Sequence, residues 1–166
     1  MPIVSKSDFR GEYSISKTSY DQLDWYIEKY EKKYLQKIFG AELYRLFKAD
    51  LTVTDPQVPQ APRFLDIFEP FAIDSDSLLV ESEGIRKMLV GFIYFHYVRE
   101  LQTENSASGT VTNSVELGIN AKYNGNIITA FNDSVDISHS IQWFIYEKKD
   151  EYPEENIQLI ENISGI

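Results

Sequence analysis

The chain of 166 residues has no cysteine and only two histidines, His96 and His139. Without thiols there is no disulfide framework, no thiolate nucleophile and no Cys-ligated metal. His96 lies inside an apolar belt with no third imidazole available, so it reads as a hydrogen-bonded core residue and no metal or other cofactor is expected. Long hydrophobic runs are missing too. The longest uncharged apolar stretch, LVGFIYFHYV (89–98), is half of the roughly twenty residues a spanning helix needs, so no membrane role is expected. Residues 1–20 have no continuous apolar stretch, and no secretory signal is expected there. Basic charge is scarce: the net charge is −10, and residues 101–166 hold three Lys/Arg against ten Asp/Glu, whereas residues 1–50 hold nine against eight. Nucleic acid is gripped through cations on phosphate, so this balance opposes a nucleic-acid-binding role. GFIYFHYVRE (91–100), with only Arg99 as a cation, lacks the basic groove of a base-stacking platform. GxGxxG, P-loop, HExxH and GxSxG motifs are all absent, and no enzyme is expected. Asp74 and Asp76 have the spacing of half a calcium loop without its Gly and terminal Glu, and read as a solvated turn.

What is present is helical periodicity. Hydrophobic residues make up 43% and charged residues 25%, the composition of a globular domain. Residues 1–18 form an extended N-terminal arm. Ser19 to Gln22 fits a capping box, and Tyr20, Leu23, Ile27, Tyr30, Tyr34 and Ile38 then share one helical face up to Gly40, a C′ residue. A second short helix covers 41–51. Pro56, Pro59 and Pro62 make 52–63 an extended connector. FLDIFEPFAI (64–73) is a short apolar stretch leading into the DSDS turn. A third helix, Ser82 to Glu104, is apolar nearly all round and is expected to be a central core helix buried on several sides, with a face against another subunit as an option. The segment 103–118 is small and polar, a flexible loop or hairpin tip. A last helix lies within Asn120–Lys149, Asn124-Gly125 delaying or kinking it, and Pro153 ends it before a tail over 151–166. The expectation is a mainly α protein: a small bundle of about four helices in a domain over 19–150, with an extended arm and a long polar loop.

The order YEKKYLQKIFG, AELYRLF, GIRKMLVGFIYFHYVRELQTENSASGTV and WFIYEKKDEYPE resembles the head–tail connector (adaptor) proteins of tailed bacteriophages, most of all versions from phages of Bacteroidetes-type hosts. The likeness spans roughly residues 9–155. It is carried by Tyr34-Leu35 before Phe39-Gly40, by the aromatic helix ending Tyr97-Val98-Arg99, by the Thr/Ser/Gly-rich loop and by Tyr152-Pro153. The resemblance implies a non-enzymatic structural subunit of a homo-oligomeric, twelvefold ring at the head–tail junction of the virion, assembled in the host cytoplasm. Its partners would be the portal protein and tail or further adaptor proteins, with DNA passing through unbound. On that reading Phe9, Tyr13, Tyr94, Tyr97, Ser106, Ser108, Gly109, Thr110, Val111 and Thr112 are protein-interface residues. Asp133, Asp136, Asp150 and Glu151 face the channel. The alternative is a monomeric helical module binding one partner through its Pro-rich loop or acidic tail.

Overall fold

Apolar side chains at three- and four-residue steps make α1 (Leu23–Asp50), burying Leu23, Tyr26, Ile27, Tyr30, Tyr34, Leu35 and Ile38. At Gly40 the backbone reaches φ 70°, a left-handed conformation without steric cost only for glycine, so 23–39 and 41–50 are two rods meeting at a kink. The break expected at Gly40 is present, with no loop inserted. A computed structural model describes residues 2–15, 22–75, 78–101, 105–106, 109–110, 117–154 and 158–163. Most of the Ser19–Gln22 capping box lies outside them; Gln22 precedes α1 in helical conformation without a side-chain cap bond.

After α1 the chain folds back on itself. Leu51 bridges Pro59, and the Asp50 carboxylate accepts the Gln60 and Ala61 amides at 2.7 and 2.8 Å. Pro62 then opens α2 (Pro62–Phe68), where its missing N–H would have no helical partner anyway. The expected connector over 52–63 is therefore shorter, and Pro62 and Arg63 are helical. Next comes a hairpin that periodicity did not announce. Strand β1 (Phe71–Ser75) pairs antiparallel with β2 (Leu78–Ser82), Ile73 opposite Val80. Five-residue strands leave too few repeats for a period of two to stand out beside helical stretches.

Helix α3 (Gly84–Leu101) is shorter than the expected Ser82–Glu104, since Ser82 belongs to β2. Every residue from Met88 to Phe95 is buried. From α1, Tyr34 stacks on Phe92 with centroids 3.8 Å apart and planes within 1°. From α4 (Leu117–Glu147), Phe131 meets Phe92 edge-on at 5.2 Å and Phe95 at 4.7 Å. Tyr13 covers Tyr94 at 5.5 Å. Rings in these offset and edge arrangements add to the stabilisation from burial alone. Between α3 and α4 the polar connection forms a small hairpin of β3 (Asn105–Ser106) and β4 (Gly109–Thr110). Helix α4 starts before the expected Asn120 and runs through Asn124–Gly125 without interruption.

The described residues near both ends, 2–15 and 158–163, pack on this bundle. The N-terminal segment makes two short 3₁₀ turns, Lys6–Asp8 and Gly11–Tyr13, in place of an extended arm. Ile3 and Val4 are buried, and their amides donate to one oxygen of the Glu31 carboxylate at 2.7 and 3.2 Å. Burial pushes the Glu31 pKa up, outweighing those two amides and Lys48. At the other end, Tyr152 is fully buried and donates its hydroxyl to the Arg63 carbonyl. The chain then runs back along α4. Asn132 exchanges two hydrogen bonds with the Ile163 backbone (3.0 and 2.9 Å), Gln142 donates to the Gln158 carbonyl (3.0 Å), and His139 Nε2 lies 2.8 Å from the Ile160 carbonyl. Among the described residues no helix is long and apolar enough to cross a membrane.

Helices α3 and α4 approach closely at Gly91. A Cβ there would press on the Ser134 hydroxyl and sit 2.9 Å from the Ala130 carbonyl oxygen, which itself accepts the Ser134 hydroxyl at 2.8 Å. Gly91→Ala gains helix propensity but overpacks a backbone contact, and overpacking costs about 1–3 kcal/mol. At roughly 2–4 °C per kcal/mol for a chain of this size, a clear drop in melting temperature is expected. A variant melting at or above the wild type would contradict this packing.

Candidate functional site

The four-residue step along α1 builds two adjacent rows. Tyr26, Tyr30 and Tyr34 face α3; Trp25, Lys29, Lys33 and Lys37 form the neighbouring ridge. The tyrosine row is tied off at its polar ends. Tyr26 and Tyr30 donate to the two oxygens of Glu100 at 2.8 and 2.7 Å, and Tyr34 Oη lies 2.8 Å from His96 Nε2. The His96 ring stacks on Tyr30 at 3.8 Å, 5° from parallel. Burial, then the nearby Lys33 ammonium, push the His96 pKa down to about 4, so the imidazole is neutral near pH 7 and Tyr34 donates to it. Burial raises Tyr34, and takes Tyr30 to about 12 with help from Glu100. Burial also works to raise Glu100, but the Tyr30 and Tyr26 hydroxyls and Lys29 outweigh it and hold it below the usual carboxylate range. None of these groups is poised to exchange a proton near neutrality, as a general acid or base would be. The arrangement is a clamp between α1 and α3.

The ridge beside it is basic. Lys29 Nζ sits 4.2 Å from the centre of the Trp25 ring, and Trp25 is 54% exposed. Lys32 and Lys33 are exposed, and burial together with Lys37 and Lys29 lowers the Lys33 pKa. The acidic counterpart lies on α4. Asp133 and Asp136 are exposed one turn apart. Partial burial, then Glu12 and Asp136, raise the Asp133 pKa against the opposing pull of Lys87; Glu83 adds to the rise. Glu12 itself pairs with Lys87. Between α4 and the β1–β2 hairpin is an open groove of about 560 Å³ lined by Phe71, Glu81, Glu83, Asp136 and Ile137. Among the described residues no ion pair engages Lys29, Lys32, Lys33 or Lys37, nor Glu81, Glu83, Asp133 or Asp136. No group of three or more His, Asp or Glu among the described residues is placed to hold a metal.

These positions redraw the expected site. Phe9, Tyr13, Tyr94 and Tyr97 are 3%, 5%, 6% and 1% exposed, so they are core residues of this chain and not a free interface. Their apolar surface is used by the chain's own N-terminal segment and helices. Ser106, Gly109 and Thr110 lie on the β3–β4 hairpin, while Ser108, Val111 and Thr112 lie outside the described residues. Asp133 and Asp136 come together, but Asp150 and Glu151 lie beyond the end of α4, with about 16 Å of helix between Asp136 and Glu147. Glu151 pairs instead with Lys148 at 3.6 Å. Sequence reasoning missed the contribution of Glu12 and Glu83, because three separate segments meet there. The Trp25–Lys29–Lys33–Lys37 ridge was missed as well, although its four-residue repeat is a signal that could have found it. Comparison of the chain with protein-family models, with curated proteins and with solved structures finds no match.

The lowered His96 pKa makes a pH prediction with a definite sign. The unfolded chain takes up this proton near the ordinary value of 6.5, the folded chain only near 4. The contribution of His96 to stability is thus complete above 6.5 and lost as pH falls toward 4. In urea titrations, the stability difference between the wild type and His96→Asn should shrink between pH 7 and pH 4.5. A constant difference would mean that the imidazole protonates as easily inside the fold as outside it.

Proposed function

We propose that the chain is a structural virion protein: a ring-forming head–tail adaptor that joins the portal to the tail and continues the DNA channel. The observation that carries this reading is the segment order of the connector resemblance, which falls on the element boundaries. YEKKYLQKIFG closes the first rod of α1 at the Gly40 kink, and AELYRLF forms the second rod. GIRKMLVGFIYFHYVREL is α3, and the Thr/Ser/Gly-rich segment after it holds the β3–β4 hairpin. WFIYEKKDEYPE ends α4 at Glu147 and runs on to the buried Tyr152.

The physical properties of the chain suit that role. A ring subunit has to keep its shape under load, and here residues 3–4 and 158–163 are laced onto the bundle by buried side chains and hydrogen bonds. A conduit for DNA has to avoid holding it, and a net charge of −10 disfavours phosphate. The connection between α3 and α4, with little apolar content to pack by itself, suits docking to a second protein. The protein would act at the head–tail junction after assembly in the host cytoplasm.

Native mass measurement of the purified chain, alone and with the portal protein, tests the reading: a ring of about twelve chains is expected, and a monomer under both conditions would overturn it. Replacing Ser106–Thr112 by a short Gly/Ser linker should leave the melting temperature unchanged while blocking the joining of heads to tails. Infectious particles assembled normally with that replacement would remove this segment from the interface.

A further inference from the structure

We propose that the basic ridge of α1 and the acidic groove between α4 and the β1–β2 hairpin are the two halves of one contact, through which one copy of this chain docks on the next. The proposal rests on the ring reading only in that it names the faces that meet. It gives to a subunit contact the Asp136 face that the connector resemblance assigned to the channel.

Each half is incomplete alone. The ridge carries four lysines, Lys29, Lys32, Lys33 and Lys37, around an indole that is more than half exposed. The groove carries Glu81, Glu83 and Asp136 over an apolar floor of Phe71 and Ile137. None of these charges finds an ion-pair partner among the described residues of its own chain. Like charges stand close on both sides: Lys29, Lys33 and Lys37 follow one another at four-residue steps along α1, and Glu81, Glu83 and Asp136 line one groove. Bringing ridge to groove sets lysines against carboxylates.

The chemistry of the two halves matches in kind as well as in sign. An aromatic anchor seated in an apolar-floored depression and ringed by charge pairs is the usual anatomy of an interface centre, where tryptophan is over-represented. Trp25 supplies the anchor, and the groove, with room for a large ring, supplies the depression. Charge pairs at the rim fix register and speed encounter more than they add affinity. The two halves sit on different helices flanking α3, so a copy engaged through its ridge still offers its groove. Such heterologous contacts propagate, and close into a ring when the rotation per copy allows. A second copy is favoured over nucleic acid as the occupant. The ridge is a short basic strip on a chain of net charge −10, and the complementary acidic groove is carried by the same chain.

The test is a charge swap on the full chain. One variant carries Lys29→Glu with Lys33→Glu, the other Glu83→Lys with Asp136→Lys; all four side chains are on the surface, and thermal melting checks that each variant folds. Wild-type assembly should weaken as salt is raised from 50 to 500 mM. Each variant alone should lose assembly, and an equimolar mixture should regain it, because each reversed face then meets its opposite. Trp25→Ala should also lose assembly, in a salt-independent way. Either charge variant assembling like the wild type, or a mixture of folded variants that stays monomeric, overturns the contact while leaving the ring reading standing. A wild type that forms no ring, alone or on the portal, removes the ring reading and this contact together. Salt-sensitive binding of a DNA duplex that Lys29→Glu with Lys33→Glu abolishes, with assembly intact, would assign the ridge to nucleic acid instead.

Discussion

A helix with no polar face has to be covered on every side, and α3 imposes that requirement on the rest of the chain. Eighteen residues long, it presents Phe92, Tyr94, Phe95 and Tyr97 around its circumference, with Ile85, Met88, Leu89 and Ile93 between them. No single neighbour hides such a surface. Helix α1 takes one side through its tyrosine row, α4 takes another across Gly91 and Phe131, and α2 and the N-terminal segment with Tyr13 cover further parts. The covering rings bring hydroxyls with them, and buried hydroxyls need partners. His96 and Glu100, one turn apart on α3 itself, provide them. His96 and Glu100 are thus the terminals of the clamp that holds α1 in place.

That requirement also explains what became of the chain ends. Segments that suit free arms by composition are used here as straps. Glu31, buried in α1, fastens the backbone of Ile3 and Val4, and the polar side chains Asn132, His139 and Gln142 on α4 fasten the backbone of residues 158–163. With arm, tail and aromatic helix all engaged internally, the outer surface includes a lysine ridge on α1 and a carboxylate groove beside α4. On the proposed ring reading, assembly would use polar rims around exposed rings such as Trp25 and not a large apolar patch, as suits a subunit that has to stay dispersed before it meets its neighbours.

Much of this was legible along the chain because it depends on local periodicity. The Gly40 break, the all-round apolar character of α3 and the end of α4 before Pro153 each follow from spacing within a turn or two. The β1–β2 hairpin was missed because its strands are too short to outweigh the helical pattern around FLDIF. The fate of Phe9, Tyr13, Tyr94 and Tyr97 was missed for a different reason. An apolar residue beyond the needs of one helix face is equally consistent with a neighbouring subunit or with a distant stretch of the same chain, and only the fold chooses. The acidic site shows the same limit. Asp133 and Asp136 are visible as a pair, but Glu12 and Glu83 join them through tertiary contact. Asp150 and Glu151, equally acidic on paper, end up beyond the end of the helix.

The central claim is that the apolar surface of α3, from Met88 to Phe95 with Tyr97 and Val98, is enclosed by its own chain, so that the proposed contacts between copies fall on outer charged faces. Hydrogen exchange of the dispersed wild-type chain tests it most directly. The amides of Met88–Val98 should exchange only through global unfolding, with protection equal to the whole stability of the chain, while the amides of the β1–β2 hairpin exchange through smaller openings. If the Met88–Val98 amides exchange as fast as those of the hairpin, α3 is not enclosed until a neighbour covers it, and the account is wrong.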